Sequence, residues 1–243
     1  MNIIGIIPAR FTSTRLMGKL LANIGGKPLI QHTYEQVKKS KLMNDVIIAV
    51  DDEKLLKVVR GFGAKAELTP KELSTSFERV ACIAENISAD VFLNISGAHP
   101  FIPNKMIDEV IEPHLFDPTI SITTIAKQIT TVDELKSISV PKVVFDYNNY
   151  ALYFSYSPIP FVKNAKTNLE RVLSEEVFKQ IGIYAYSSFA MDQIKNLKPT
   201  DLERIEGLEQ LRILENGHRI KIVVTDEESY SVDTQKHLEM ARK

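Results

Sequence analysis

Cysteine is nearly absent from this 243-residue chain, because Cys82 is its single cysteine and cannot form an internal disulfide. Apolar runs near the roughly 18 residues of a membrane-spanning helix are also missing, and no basic segment precedes a long apolar one at the N-terminus, as a secretion signal requires. Neither charge predominates: 30 Lys and Arg residues face 31 Asp and Glu residues, which leaves no overall basic surface for nucleic acid. These absences predict a protein of the reducing cytoplasm that binds neither membrane nor nucleic acid.

The first half of the chain alternates strand and helix patterns. Three continuous apolar, β-branched runs indicate strands buried on both faces: Ile3–Ile7, Val46–Val50 and Val91–Ile95. Helical patterns lie between them: Pro28–Lys39, Glu53–Phe62 and Phe77–Asn86. Such alternation predicts an α/β fold with a mostly parallel sheet covered by helices on both faces.

After about residue 118 the pattern changes to strands without regular helices between them: Thr119–Ala126, Lys142–Phe145, Ala151–Phe154 and Ile181–Tyr186. These predict an antiparallel β layer inserted at about residues 119–186 into a single domain, whose core is formed by residues 1–118 and 187–243. One helix is expected over Leu202–Glu215, closed by Asn216-Gly217. On that helix Glu203, Glu206 and Glu209 could meet a substrate, but their spacing does not place all three on one face, and a solvated surface position is the plainer expectation for Glu209.

The loop after the first strand carries the strongest functional signal. Pro8–Lys19 presents three cations, Arg10, Arg15 and Lys19, together with small hydroxyl residues and a glycine. Cations, hydroxyls and backbone N–H groups at the carboxyl end of a strand suit a polyphosphate, although a solvated basic loop is the plainer alternative. No Gly-x-x-x-x-Gly-Lys-Ser/Thr occurs, and the glycines of Gly61–Ala66 follow a helix, so neither a P-loop nor a dinucleotide fingerprint is present.

The same loop, Pro8-Ala-Arg-x-x-Ser-Thr-Arg-Leu-x-Gly-Lys19, resembles the phosphate-binding signature of sugar nucleotidyltransferases. More narrowly, it is similar to that of the CMP-Kdo synthetases, the 3-deoxy-manno-octulosonate cytidylyltransferases. Further segments of that family follow in the same order along nearly the whole chain: Gly25-Gly-Lys-Pro-Leu-Ile30, Glu78-Arg79, Lys142-Val-Val, Tyr150-Ala-Leu-Tyr-Phe-Ser155, Ile159-Pro-Phe161, Gly182-Ile-Tyr184, Leu208-Glu-Gln-Leu-Arg212 and Val232-Asp-Thr234.

The resemblance implies a Rossmann-like nucleotide-diphospho-sugar transferase fold and transfer of CMP from CTP to the anomeric hydroxyl of an acidic eight-carbon sugar, with release of pyrophosphate. It also implies Mg²⁺ as cofactor and a homodimer formed through the inserted β region. The implied roles are triphosphate binding by Arg10, Ser13, Arg15 and Lys19, with Arg10 and Lys19 catalytic, nucleotide binding by Ser96, substrate binding by Arg79, Tyr184, Glu206 and Gln210, and metal binding by Asp233.

The chain departs from that family at the metal and sugar positions. Where the family usually reads Asn-Val-Gln-Gly-Asp-Glu-Pro, this sequence reads Asn94-Ile-Ser-Gly-Ala-His-Pro100, so the metal-binding aspartate is replaced by Ala98, whose methyl cannot ligate Mg²⁺. The neighbouring His99 could recruit Mn²⁺ or Zn²⁺ instead, or could be a plain turn residue. In the sugar pocket, Tyr156 replaces an arginine and Gln180 a histidine.

These changes leave two functions open. The chain is either a working cytidylyltransferase for Kdo or a related 3-deoxy-ulosonate with an altered metal site, or a non-catalytic relative that binds nucleotide and serves a regulatory or partner-binding role.

Overall fold

The computed structural model describes residues 1–12, 18–174 and 176–242. Its strands are β1 (Ile3–Ala9), β2 (Asn23–Ile24), β3 (Lys27–Pro28), β4 (Asp45–Val50), β5 (Lys65–Leu68), β6 (Val91–Ile95), β7 (Ile122–Gln128), β8 (Lys142–Phe145), β9 (Ala151–Ser155), β10 (Phe178–Ser187) and β11 (Lys221–Val224). Its helices are α1 (Leu29–Val37), α2 (Glu53–Gly61), α3 (Ser76–Ala84), α4 (Asn104–Phe116), α5 (Val132–Lys136), α6 (Asn168–Val172), α7 (Ser188–Ile194), α8 (Asp201–Glu206), α9 (Gln210–Glu215) and α10 (Gln235–Ala241). A 3-10 turn covers Lys19–Leu21.

The central sheet has the order β11-β7-β10-β6-β1-β4-β5. β1 pairs in parallel with β4 and β6, β4 with β5, and β11 with β7, whereas β10 runs antiparallel to both β6 and β7. The predicted mostly parallel sheet is therefore confirmed. The antiparallel part begins within that sheet at β10 and continues into a side branch, in which β8 pairs with β10 and β9 with β8.

Alternation of side chains along β1 explains why helices cover both faces of the sheet. Ile3 and Ile7 belong to one apolar cluster, which includes residues of α1, α2 and α4. Ile4 and Ile6 belong to a second cluster, which includes residues of α3, α7 and α9. Every residue of β1 is buried, and each large aliphatic side chain buried in this way contributes about 1.5–3 kcal/mol to the stability of the fold.

The single helix predicted over 202–215 is wrong. α8 ends at Glu206, and Gly207 follows with φ 68°, in the left-handed region that glycine tolerates best. Its N–H bonds the Glu203 carbonyl at 2.8 Å, which completes the helix cap. The chain then starts a second helix, α9, at Gln210, so Glu206 and Glu209 lie on either side of the break.

No helix among the described residues is both long and apolar enough to cross a membrane.

Candidate active site

A cleft of about 1220 Å³ opens at the end of the sheet where β1 and β6 finish. Its walls come from the residues after those strands, from β10 and from the junction of α8 and α9, and they include Arg10, Ser96, Tyr184, Gln210 and Asp233. Ligands of open α/β sheets bind at the carboxyl ends of the strands. The structure therefore brings these five residues, singled out from the sequence, to one cavity.

Lys19 and Asp233 are paired although 214 positions separate them in the sequence. The Lys19 Nζ lies 2.7 Å from the Asp233 Oδ1, and the two side chains are 15% and 24% exposed. Ser231 donates its hydroxyl to the other carboxylate oxygen. The Val232 N–H donates to the Ala98 carbonyl at 2.8 Å, which joins this segment to the turn after β6. A cation and an anion predicted for different roles thus form one partly shielded ion pair.

The turn after β6 packs closely against Ile30 of α1 and against the core. A side-chain carbon on Gly97 would lie 2.6 Å from the Ile30 Cδ1, and the Ala98 methyl is buried in the core. His99 is 8% exposed, and its Nδ1 lies 3.1 Å from the Ser229 hydroxyl. Burial lowers the pKa of His99 to about 4, so its ring is neutral at physiological pH. The turn therefore supplies neither a carboxylate nor a charged imidazole.

Arg79 does not reach the cleft, contrary to the sugar contact that the resemblance implied. Its side chain is fully buried and donates to the carbonyls of Pro70 at 3.3 Å and Leu73 at 3.2 Å and to the Thr69 hydroxyl. Its guanidinium also lies 3.8 Å from the Asp51 carboxylate. Arg79 therefore holds the chain segment 69–73 in place from the protein interior.

Two further contacts connect that buried arginine to the start of the phosphate loop. The Arg10 guanidinium donates to the Ser74 carbonyl at 2.9 Å, directly after the segment that Arg79 holds. The Phe11 N–H donates to the Asp51 carboxylate at 2.8 Å. Phe11 is thus anchored to a carboxylate that Arg79 also contacts, and Arg10 to the residue that follows the segment held by Arg79.

Neutral hydroxyl and amide groups form another part of the cleft wall. Tyr184 is 4% exposed on β10, and burial raises its pKa well above the usual value. The Gln180 amide donates to the Thr124 hydroxyl at 3.1 Å, and the Gln210 amide lies 3.5 Å from the Gln180 oxygen. The hydroxyl of Ser96 accepts the Ala98 N–H at 3.4 Å. That these groups touch a ligand stays a prediction.

Comparison with known proteins decides the family. The cytidylyltransferase family matches residues 4–222. A 3-deoxy-manno-octulosonate cytidylyltransferase of Geobacter sulfurreducens is 43% identical over 98% of this chain and 97% of its own length. One of Chloroherpeton thalassium is 45% identical over 96% of this chain and 94% of its own. The chain belongs to this cytidylyltransferase family.

Solved structures agree with the assignment. A CMP:2-keto-3-deoxy-manno-octonic acid synthetase in complex with CTP superposes with a TM-score of 0.91 at 32% identity, covering 100% of this chain and 97% of that one. A 4-diphosphocytidyl-2C-methyl-D-erythritol synthase from Anaerococcus prevotii shares only the fold, with a TM-score of 0.62 at 15% identity over 99% and 96% of the two chains.

Glu206 also has a different place in this cytidylyltransferase from the predicted substrate contact. Its carboxylate accepts the Ser155 hydroxyl at 2.7 Å, the Tyr156 N–H at 3.2 Å and the Tyr153 hydroxyl at 3.3 Å. Glu206 therefore binds the end of β9. The single helix that was predicted over residues 202–215 gave no reason to expect a contact between Glu206 and β9.

Glu209, expected on the solvated surface, instead lines the cleft. Its carboxylate accepts the Phe77 N–H at 3.1 Å at the start of α3, and burial raises its pKa. Glu209 lies outside the helix that was expected to include it, because α8 ends before Gly207 and α9 begins only at Gln210. That glycine inside a helical pattern was the available signal.

The donor set of this cytidylyltransferase fits a metal ion that arrives with a nucleotide and not a preformed metal centre. No group of three or more His, Cys, Asp or Glu side chains is placed to hold a metal within residues 1–12, 18–174 and 176–242. Asp233 supplies one hard carboxylate, and Mg²⁺ is commonly held by one or two carboxylates plus substrate phosphates. Ser13 and Arg15, expected to bind the triphosphate, lie outside the described residues.

Proposed function

We propose that this chain transfers the cytidylyl group of CTP to 3-deoxy-manno-octulosonate or a closely related 3-deoxy-ulosonate and releases pyrophosphate. One observation carries the proposal: the cleft at the carboxyl ends of β1 and β6 combines Arg10 and Asp233, whose carboxylate pairs with Lys19, with a wall of hydroxyl and amide groups. Cations suit a triphosphate, and the neutral donors suit a polyhydroxylated acceptor.

The reaction needs no covalent intermediate with the protein. The anomeric hydroxyl of the sugar releases its proton to solvent and its oxygen bonds to the α-phosphorus, while the bond between the α-phosphorus and the oxygen that bridges it to the β-phosphorus breaks and pyrophosphate leaves with that oxygen. Arg10 and Lys19 would stabilise the negative charge on the phosphates during this exchange, and the cleft would hold the two substrates in reach of each other. Tyr184 and Gln210 would orient the acceptor.

Mg²⁺ is part of the proposal. Asp233 would be its carboxylate ligand from the described residues, and the bound ion would neutralise phosphate charge. The same carboxylate also binds the Lys19 ammonium. Asp233 would therefore stand between the metal ion and a cation expected to meet the triphosphate.

The decisive experiment is pyrophosphate release by the purified protein with CTP, Mg²⁺ and Kdo, compared with Lys19→Gln and with the exposed-lysine control Lys27→Gln. We expect turnover by the wild type and by the control, because the Lys27 ammonium that the control lacks pairs only with Glu35 on the surface among the described contacts. Lys19→Gln should weaken CTP binding by about 1.5 kcal/mol or more, the strength of a charge-assisted hydrogen bond. Tight CTP binding without turnover on Kdo or related acids would support the non-catalytic alternative instead.

We also infer a homodimer formed through the segment 138–173. This segment exposes six large hydrophobic side chains, each at least 58% exposed: Ile138, Tyr147, Leu152, Phe161, Leu169 and Leu173. Clusters of exposed apolar residues are typical of protein–protein contacts.

The free thiol of Cys82 agrees with action in the reducing cytoplasm, where we expect the enzyme to work.

A further inference from the structure

Lys142 is a fully buried lysine with no role assigned so far. It is 0% exposed at the start of β8. Its ammonium donates to three backbone carbonyls, those of Ser137 at 2.7 Å, Val140 at 2.9 Å and Tyr156 at 2.9 Å. Burial lowers its pKa. Because removing an ammonium from water is costly, a lysine buried in this way must be compensated by the bonds that it makes.

Those three carbonyls belong to two chain segments that line the cleft. Ser137 and Val140 lie in the turn between α5 and β8, whose residues 139–141 form part of the cleft wall together with Tyr156. The turn is also tied to β10, because the Gln180 N–H donates to the Pro141 carbonyl at 2.8 Å. Lys142 thus joins the turn 137–141 to the residue that follows β9.

Glu206 binds the backbone N–H of Tyr156, the residue whose carbonyl accepts from Lys142. The Tyr156 N–H donates to the Glu206 carboxylate at 3.2 Å, while the Tyr156 carbonyl accepts from Lys142. The Lys142–Ser155 pair is the last residue pair between β8 and β9, and Tyr156 directly follows it. Two oppositely charged side chains bind the backbone of Tyr156 at this point. They therefore hold Tyr156 where it joins the cleft wall.

We propose that Lys142 and Glu206 are positioning residues, which hold Tyr156 and the turn 137–141 as a rigid wall of the acceptor site and so set the affinity for the acceptor sugar. The inference rests on the proposed cytidylyl transfer. The cations expected to meet the triphosphate follow β1, whereas this wall is built on β8, β9 and β10 next to Gln180. Loosening the wall should therefore impair binding of the acceptor and spare that of CTP.

Two variants and two matched controls test this role. Lys142→Met keeps much of the side-chain length but removes all three donors, and Glu206→Gln removes the charge that the Tyr156 N–H meets. Lys221→Met is the control for the first, because Lys221 donates to the Asn148 carbonyl on the surface. Glu215→Gln is the control for the second, because Glu215 accepts from the backbone of Leu202.

The first readout is hydrogen exchange of the intact protein, which needs no activity. We expect exchange at residues 137–141 and 155–158 to rise about tenfold or more in Lys142→Met, and by less in Glu206→Gln, without a similar rise elsewhere or in the controls. Unchanged protection of these residues, or a uniform rise over the whole chain, would overturn the proposal. Should Lys142→Met fail to fold, Glu206→Gln decides by the same criterion.

The second readout separates the two substrates. The KM for the acceptor should rise about tenfold or more in the variants, while the KM for CTP changes by no more than about twofold. An equal rise of both KM values, or a fall in kcat alone, would make Lys142 and Glu206 general structural residues and contradict the proposal. An inactive wild type with the local exchange change intact would refute the transfer to this acceptor and leave the rigid wall standing.

Discussion

Asp233 meets two competing cations, the Lys19 ammonium and the metal expected with CTP. In Asp233→Asn the charge that opposes the triphosphate is removed and Lys19 loses its anionic partner. We expect metal-free CTP to bind about tenfold more tightly, a gain of about 1.4 kcal/mol, while pyrophosphate release with Mg²⁺ falls about tenfold or more. Calorimetry with a chelator present and a pyrophosphate assay measure the two effects.

The control for that experiment is Asp192→Asn, which removes a surface carboxylate paired with Lys195. It should change neither quantity. Weaker metal-free binding of CTP in Asp233→Asn, or full activity with Mg²⁺, would show that Asp233 is not the carboxylate that these two cations share.

Arg79 provides a test of whether a buried arginine acts on the substrate or on the fold. Arg79→Met leaves the Asp51 carboxylate with one cation fewer and removes the donors to the segment 69–73. We expect the free energy of unfolding to fall by about 3–5 kcal/mol, and the KM for CTP to rise more than the KM for the sugar, because Arg10 loses its support. Urea unfolding and steady-state kinetics measure these changes. Unchanged stability with a raised KM for the sugar would restore the sugar contact.

At the scale of elements, the junction of α8 and α9 depends on a glycine. A side-chain carbon on Gly207 would meet no atom within 4 Å, so the penalty of Gly207→Ala comes from φ 68° alone. We expect a loss of about 1 kcal/mol in the free energy of unfolding. Gly61→Ala at the end of α2 is the contrasting control, because its site is open and its φ is not positive. That control should be neutral or stabilising by up to about 1 kcal/mol, and equal losses in both variants would contradict the argument.

The junction of α8 and α9 is one of the features that the sequence alone did not predict, whereas the central strands were predicted. Continuous β-branched runs predicted β1, β4 and β6 because buried parallel strands require them. The apolar spacing over residues 202–215 is that of one continuous helix and does not reveal the break at Gly207. A single glycine in the left-handed region ends a helix without altering that spacing. Arg79 and Glu206 were assigned to substrate because the resemblance identifies residue types, whereas the direction of a side chain depends on tertiary packing. Lys19 and Asp233 were both singled out, but their pairing across 214 positions required the fold.

The stability of the whole molecule should depend on acid pH through buried histidines. Burial lowers the pKa of His114 on α4 to about 4, as it does for His99, below the value of about 6.5 in an unfolded chain. The unfolded state therefore binds more protons between these values, and stability that is complete above pH 6.5 is lost as the pH falls toward 4. Each group contributes at most about 3 kcal/mol. Urea unfolding between pH 7 and pH 5 should show this loss, with a shallower slope in His114→Gln, and an equal slope would contradict it.

At the scale of the whole molecule, the proposed homodimer can be tested directly. Leu152 is 63% exposed on β9, an outer strand of the side branch that pairs with β8 and is bonded to residue 220 only at its start, where the Ala151 N–H donates to the Ile220 carbonyl at 2.9 Å among the described contacts. Exposed apolar edges favour pairing with another chain. We expect sedimentation to give a dimer of the 27.4 kDa chain, and Leu152→Glu or Phe161→Glu to give a monomer. Phe116→Glu, which alters an apolar residue 83% exposed on α4, is the control and should stay dimeric. A monomeric wild type would remove the dimer, and a dimer insensitive to the first two changes would move the interface elsewhere. Because Tyr156 directly follows β9, loss of the dimer should also raise the KM for the acceptor if the partner stiffens the wall that Lys142 and Glu206 hold.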